Sequence, residues 1–208
     1  AFFFLADDGI REHALSRCLG DVYMRHEKNW PDEVIGLGRI ADTIDDEVVG
    51  SGWLEPFSHM GSYCEVPEVE VVGAADTFPE QRKTFGERWG LSESKLYEDY
   101  REMLINAKPD MVSVCTHVGP RAKIALDIVQ MVREGKTSVK CIWVEKPMTE
   151  SLEEADELVK ACDEVGVILM LNAMRASAVY YRRARAKIDE GAVSYTHLRA
   201  HETRHELV

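Results

Sequence analysis

Basic side chains are scarce in this sequence. Its 208 residues hold 25 lysines and arginines against 37 aspartates and glutamates, a formal net charge of −12. A chain with so little positive charge cannot displace counterions from a phosphate backbone, which excludes nucleic acid as a partner. The five cysteines (Cys18, Cys64, Cys115, Cys141, Cys162) are scattered and form no C-x-x-C. That excludes a zinc ribbon and a disulfide framework, and implies reduced thiols in a cytoplasmic setting. No apolar run reaches membrane-spanning length. The opening "AFFFLADDGI" turns acidic too soon, and lacks the basic flank, to be read as a signal peptide. The length suffices for one sizeable core, or for one domain plus a fragment of another.

Histidine is nearly absent from the middle of the chain. Of seven, only His59 and His117 fall within 27–193. The last fifteen residues, "SYTHLRAHETRHELV", have no apolar period of 2 or 3.6. Their histidines His197, His201 and His205 recur every four residues. No second shell is arranged around them, so the pattern reads as a solvated tail and not as a metal site. Both this segment and "AFFFLADDGIREHALSRCLGDVYMRH" resemble translated sequencing-adapter read-through. The resemblance implies that residues 1–26 and 194–208 are non-native additions around a domain at 27–193.

Within that span, strands and helices alternate. "EVI" (33–35) leads into a glycine turn, and "RIADTIDDEVVG" follows with helical potential. "VEVVGAAD" (69–76), "DMVSVC" (110–115), "VKCIWVE" (139–145) and "VILMLN" (167–172) are further strands. Between them lie a helix from Pro79 closed by Gly90 and an amphipathic helix over 121–135. A third opens with the capping box Ser151–Glu154 and runs to Gly166. A last helix covers "YYRRARAKIDEG", where Arg182, Arg183, Arg185 and Lys187 read as a solvated face. Strands rich in Val, Ile and Leu without alternation are covered on both faces. The fold class is therefore α/β, a doubly wound parallel sheet.

The first turn carries a binding signal. Gly36, Gly38 and Ala41 form G-x-G-x-x-A where a strand becomes a helix: a tight bend, a close backbone approach, and close helix packing. With Arg39 and Ile40 they form a cradle whose free amides suit a pyrophosphate. Asp76, closing the second strand, is placed to accept hydrogen bonds from ribose hydroxyls and to repel a 2′-phosphate. This favours NAD over NADP. Asp76 lies 40 residues beyond Gly36, about twice the usual spacing, and the excess falls in a Gly- and aromatic-containing loop.

Together "GLGRIA", "GAAD", "VSVCT" and "EKP" resemble the N-terminal Rossmann domain of the Gfo/Idh/MocA oxidoreductases over about residues 31–193. The resemblance implies that Lys146 sits beside nicotinamide and substrate as the catalytic group. It implies that Glu145 lies near the nicotinamide ribose and that Pro147 follows a cis bond that aims the lysine. It marks Thr116 as a cofactor contact, and Asn172 and Arg175 as substrate-side residues. Two positions depart from the family: His117 stands where a proline is usual, and Arg121 where a histidine is usual.

The family's second domain, an α+β unit with the remaining catalytic side chains, is absent from this sequence. The resemblance thus implies the NAD-binding part of an oxidoreductase acting on a hydroxyl or keto group of a sugar or polyol. Its parent would be a homo-oligomer, and the fragment itself would lack full activity. Two other readings compete: a stand-alone dinucleotide-binding or redox-sensing module, and a methyltransferase using S-adenosylmethionine.

Overall fold

In the computed structural model, which describes residues 30–47, 56–173 and 179–191, the apolar runs pair into a parallel sheet. Its strands are β1 (Trp30–Ile35), β2 (Val69–Ala75), β3 (Leu96–Tyr97), β4 (Met111–Val114), β5 (Cys141–Val144) and β6 (Ile168–Leu171). Their order is β3-β2-β1-β4-β5-β6, and every pairing is parallel. The chain winds outward from β1 to one edge, returns to β4 and winds outward to the other. The point of reversal, between β1 and β4, is where open sheets of this kind leave a crevice at their carboxyl ends.

The helices follow from local chemistry. Helix α3 (Pro79–Trp89) has proline in its first turn and ends at Gly90, whose φ of 69° is left-handed. Helix α5 (Val118–Arg133), which follows α4 (Tyr100–Ala107), turns Ala122, Ile124, Ala125, Ile128 and Val129 inward. Helix α6 (Leu152–Val165) starts on the anticipated capping box, with Ser151 Oγ accepting from Glu154 N at 3.2 Å, and stops at Gly166. The core gathers Met103, Leu104, Val112, Val114, Ile128, Ile142, Val144 and Leu158, all fully buried. Emptying such a site, as in Ile128→Ala, costs about 2–5 kcal/mol. Residues Trp30 to Asn172 belong to one compact unit. Helix α7 (Val179–Asp189) belongs to another and pairs Arg185 with Asp189 at 2.9 Å along its own surface.

The expected helix over "RIADTIDDEVVG" does not form as one piece. Turns run through residues 39–43, and only Ile44–Glu47 (α1) is helical before the described residues break off at 48. Tertiary partners capture the groups a helix would have used. The amides of His59 and Met60 donate to the carbonyls of Ile40 and Ala41, both at 3.1 Å. Asp42 is taken by Trp89 Nε1 at 2.7 Å and by Arg88 at 3.1 Å. Asp45 accepts from the amide of Ser58 at 3.2 Å. The stretch anticipated as a loop contains helix α2 (His59–Cys64), capped by Ser58 Oγ accepting from Gly61 N at 2.9 Å.

Those two backbone bonds explain the long spacing to Asp76. Ile40 to His59 and Ala41 to Met60 are each 19 residues apart, where a helix would bond residues four apart. A helical turn is thus spliced across an excursion of about 15 residues. Without that excursion the acid falls near the usual distance from the glycines.

Strand β1 begins earlier than the apolar run suggested, and it buries Asp32 and Glu33 completely. Asp32 Oδ2 and both Glu33 carboxyl oxygens have no hydrogen-bond partner among the described residues. Burial pushes Asp32 up to about 8, against smaller opposing effects of bonds from Tyr63 and the Glu33 amide. Burial, reinforced by the neighbouring Asp32, pushes Glu33 up to about 8 as well.

Candidate functional site

The carboxyl ends of the strands are stitched into one rim by backbone bonds. Asp76 N donates to Tyr97 O (3.1 Å), Gly36 N to Ala75 O (2.8 Å), and Cys115 N to Ile35 O (2.8 Å). Glu145 N donates to Val114 O (3.1 Å) and Asn172 N to Val144 O (2.8 Å). Gly36, Asp76, Thr116, Glu145, Lys146 and Asn172 therefore line a single edge. Two strand spacings, ~10 Å, separate the end of β1 from that of β5.

At the β1 end, Gly36 has φ of 87° and admits no side chain. A Cβ there would lie 2.8 Å from Thr116 Cγ2 and 2.9 Å from Thr116 N. Gly38 is the opposite case, exposed, with nothing within 4 Å of where its Cβ would stand. The amides of Gly38, Arg39 and Ile40 donate to no acceptor among the described residues, leaving a row of open donors. The Arg39 guanidinium pairs with Glu47 at 2.6 Å on the exposed face, and Ile40 is half-buried, its carbonyl given to His59. Because α1 is a single turn, the cradle consists of turn amides and is not the helix start anticipated from the glycine pattern. Asp76 Oδ2 accepts from Leu37 N at 2.8 Å, and Oδ1 from Phe78 N at 2.9 Å. Each oxygen keeps a further lone pair for a ligand hydroxyl.

Beyond β4, Thr116 Oγ1 is buried and has no partner among the described residues. His117 is exposed at the start of α5 and makes no side-chain cap bond. Arg121, almost fully buried, donates to the carbonyls of Thr116 and Pro147, tying the loop after β4 to the loop after β5. Burial chiefly lowers its pKa.

At the β5 end, the Lys146–Pro147 peptide is cis. Lys146 is exposed and forms no ion pair among the described residues. Glu145 is buried, and does not pair with its neighbour's ammonium. Its Oε2 accepts the backbone amide of Lys146 at 3.1 Å, while Oε1 faces His59 Nε2 at 3.0 Å and accepts from Asn172 Nδ2. Burial alone would raise the Glu145 carboxyl, but hydrogen bonds from His59, Asn172 and the Lys146 amide hold it below its ordinary value. Asn172 is thus committed to Glu145. Arg175 lies outside the described residues, as do the histidines of the tail.

Sequence reasoning missed His59. It lies fully buried between Glu145 and Ser113, its Nδ1 3.1 Å from Ser113 Oγ, and its ring is 4.4 Å from that of Trp143. The available signal was "SHMGSY": a serine cap followed by His59, Met60 and Tyr63 on one helical face. Among the described residues no three His, Cys, Asp or Glu side chains are grouped to hold a metal ion, and no helix is long and apolar enough to cross a membrane.

Comparison with known proteins gives a consistent result. The GFO_IDH_MocA profile, described as an oxidoreductase family with an NAD-binding Rossmann fold, matches residues 47–173. The D-glucoside 3-dehydrogenase of Escherichia coli (strain K12) is 25% identical over 160 residues, which is 77% of this chain and 39% of that protein. The scyllo-inositol 2-dehydrogenase (NAD(+)) of Bacillus subtilis (strain 168) is 28% identical over 146 residues, or 70% and 40%. In structure, the chain resembles the WlbA dehydrogenase from Bordetella pertussis in complex with NADH and UDP-GlcNAcA. The TM-score is 0.63 at 23% identity, covering 79% of this chain and 43% of that one. The chain spans about two-fifths of the length of the curated relatives it matches.

Proposed function

Because this chain belongs to the Gfo/Idh/MocA family of oxidoreductases and carries its NAD-binding Rossmann fold, we propose that the rim from Gly36 to Asn172 is the cofactor-side half of a dehydrogenase site. The carrying observation is the continuous backbone ladder that brings the glycine corner, Asp76, Thr116 and the Glu145-Lys146-Pro147 segment onto one edge. The residues fit a dinucleotide. Three adjacent amides stand open beside an unobstructed Gly38, and a buried threonine hydroxyl lacks a partner.

In this reading the amides of Gly38, Arg39 and Ile40 bind the pyrophosphate. The free lone pairs of Asp76 bind the adenosine ribose, and its charge repels a 2′-phosphate, favouring NAD over NADP. Thr116 Oγ1 takes a cofactor hydroxyl or amide. The bound nicotinamide supplies hydride transfer. Lys146, exposed and unpaired among the described residues, polarises a carbonyl or exchanges a proton with a hydroxyl of the substrate. Asn172 contributes from the substrate side by holding Glu145 in place. The substrate class is a sugar or polyol, by analogy with the glucoside and inositol dehydrogenases among the relatives. Its recognition would fall largely to parts of the parent enzyme beyond this chain.

Fluorescence titration of the 208-residue chain with NADH, and separately with S-adenosylmethionine, tests the reading. Saturable enhancement of NADH emission is expected. A response to S-adenosylmethionine alone would replace the dehydrogenase reading with the methyltransferase one.

A further inference from the structure

The buried polar groups beneath the rim form one connected chain. Glu145 Oε1 faces His59 Nε2 at 3.0 Å, and His59 Nδ1 faces Ser113 Oγ at 3.1 Å. Ser113 Oγ is hydrogen-bonded to the Tyr63 hydroxyl. The four side chains come from the residue after β5 (Glu145), from α2 (His59 and Tyr63) and from β4 (Ser113), and all are buried. We infer that His59 is a positioning residue: locked with its proton on Nε2, it orients Glu145, which in turn fixes the backbone amide of Lys146 at the reactive end of the rim. This deepens the proposed function and rests on its reading of Lys146.

The proton order follows from counting donors. An ionised Glu145 can only accept, so the proton it receives from His59 must sit on Nε2. Nδ1 is then bare and accepts from the Ser113 hydroxyl. Ser113 Oγ accepts from the Tyr63 hydroxyl, which ends the chain. Each proton is used once, and the chain carries a single negative charge, on Glu145. The opposite tautomer would aim the bare Nε2 at a carboxylate. Asn172 Nδ2 lies 3.4 Å from His59 Nε2, but both atoms are donors, and both serve Glu145 Oε1.

The consequence reaches the rim. Glu145 Oε2 holds the Lys146 amide at 3.1 Å, and Arg121 holds the carbonyl of Pro147. The lysine's backbone is therefore gripped on both sides while its side chain stays exposed. Without His59, Glu145 loses one of its two side-chain donors in a buried site and is held less firmly.

Long-range ¹H–¹⁵N correlation of the histidine side chains in the labelled 208-residue chain tests the tautomer directly, with His59→Gln identifying the signal. A fixed Nε2–H pattern is expected; an Nδ1–H or averaged pattern overturns the inference. The second readout is hydrogen exchange at the Lys146 amide. Loss of one charged-acceptor bond corresponds to about tenfold faster exchange in His59→Leu. His59→Gln, whose amide reaches the Nε2 position, should stay within about threefold of the parent, and the Leu158 amide should not respond. A Lys146 amide indifferent to His59→Leu overturns the positioning role. Should that variant not fold, Ser113→Ala is read instead: removing the donor to Nδ1 should release the tautomer, and a still-fixed ring counts against the chain. If the chain takes no NADH while both spectroscopic results hold, the cofactor reading fails and His59's placement stands.

Discussion

The amide of Leu37 donates to Asp76 Oδ2 at 2.8 Å, so the bend that closes β1 and the acid that closes β2 are a single structural unit. In the proposed reading, the acid assigned to a ribose also braces the glycine corner. Cofactor affinity and local order at the turn would then be coupled through one side chain.

Asp76→Asn separates these roles. The amide oxygen still accepts from Leu37, while the exposed bond from Phe78 and the charge are gone. NADH affinity should fall about tenfold, the worth of one charge-assisted hydrogen bond. Discrimination against NADPH should shrink, while thermal stability stays within a few degrees. Parallel fluorescence titrations with the two cofactors give the result; an unchanged NADH/NADPH ratio removes Asp76 from cofactor selection.

Gly36→Ala should be severe. The φ of 87° is costly for any L-residue, and the added methyl would meet Thr116 backbone at 2.9 Å. A loss of about 2–4 kcal/mol in urea denaturation is expected, together with loss of NADH binding. Gly38→Ala meets no such obstacle, so it should fold normally and weaken binding by crowding the ligand alone.

Arg121→Met leaves the carbonyls of Thr116 and Pro147 without their shared donor. A destabilisation of about 1–3 kcal/mol is expected. Because the loops after β4 and β5 are then untied, NADH affinity should fall as well. Denaturant midpoints and titrations on one preparation measure both, and an intact midpoint would show that the tether is dispensable.

Asp32 and Glu33 predict an inverted pH dependence. Burial raises both folded-state carboxyls to about 8, above their values in the unfolded chain. The folded state therefore binds more protons than the unfolded one between about pH 4 and 8, and stability falls as pH rises through that window. Their contribution is fully present below the unfolded values and lost above about 8. Asp32→Asn and Glu33→Gln should each raise the urea midpoint at pH 9 and do much less at pH 5. The difference should be on the order of 1–3 kcal/mol. Equal effects at both pH values would place these carboxyls in water.

In the parent enzyme, Lys146→Met should keep cofactor binding and reduce turnover by at least about 100-fold, the scale of a lost acid–base group. Unchanged turnover would remove Lys146 from the chemistry.

Much of this was legible in the residues, for identifiable reasons. Continuous aliphatic runs marked β2, β4, β5 and β6, and Ser151 with Glu154 and Gly166 bounded α6 at both ends. Gly36, Asp76 and Lys146 stood out because a glycine, a strand-end acid and a strand-end ammonium each break an apolar pattern, and the rim places all three on one edge. What stayed hidden depends on distant partners. β3 is two residues long and exists only beside Ala74 and Ala75. The helix anticipated after the glycines yields to amides supplied from residues 59 and 60. His59 and Glu145 meet across 86 positions of sequence, so nothing local to either could reveal the pair.

The splice that joins Ile40 and Ala41 to His59 and Met60 also ties α2 to the bend after β1. Asp45 holds the amide of Ser58, so the segment that delivers His59 to Glu145 is moored at the opposite end of the rim. A substitution at that bend is therefore expected to be felt at Glu145, two strands away, without touching it.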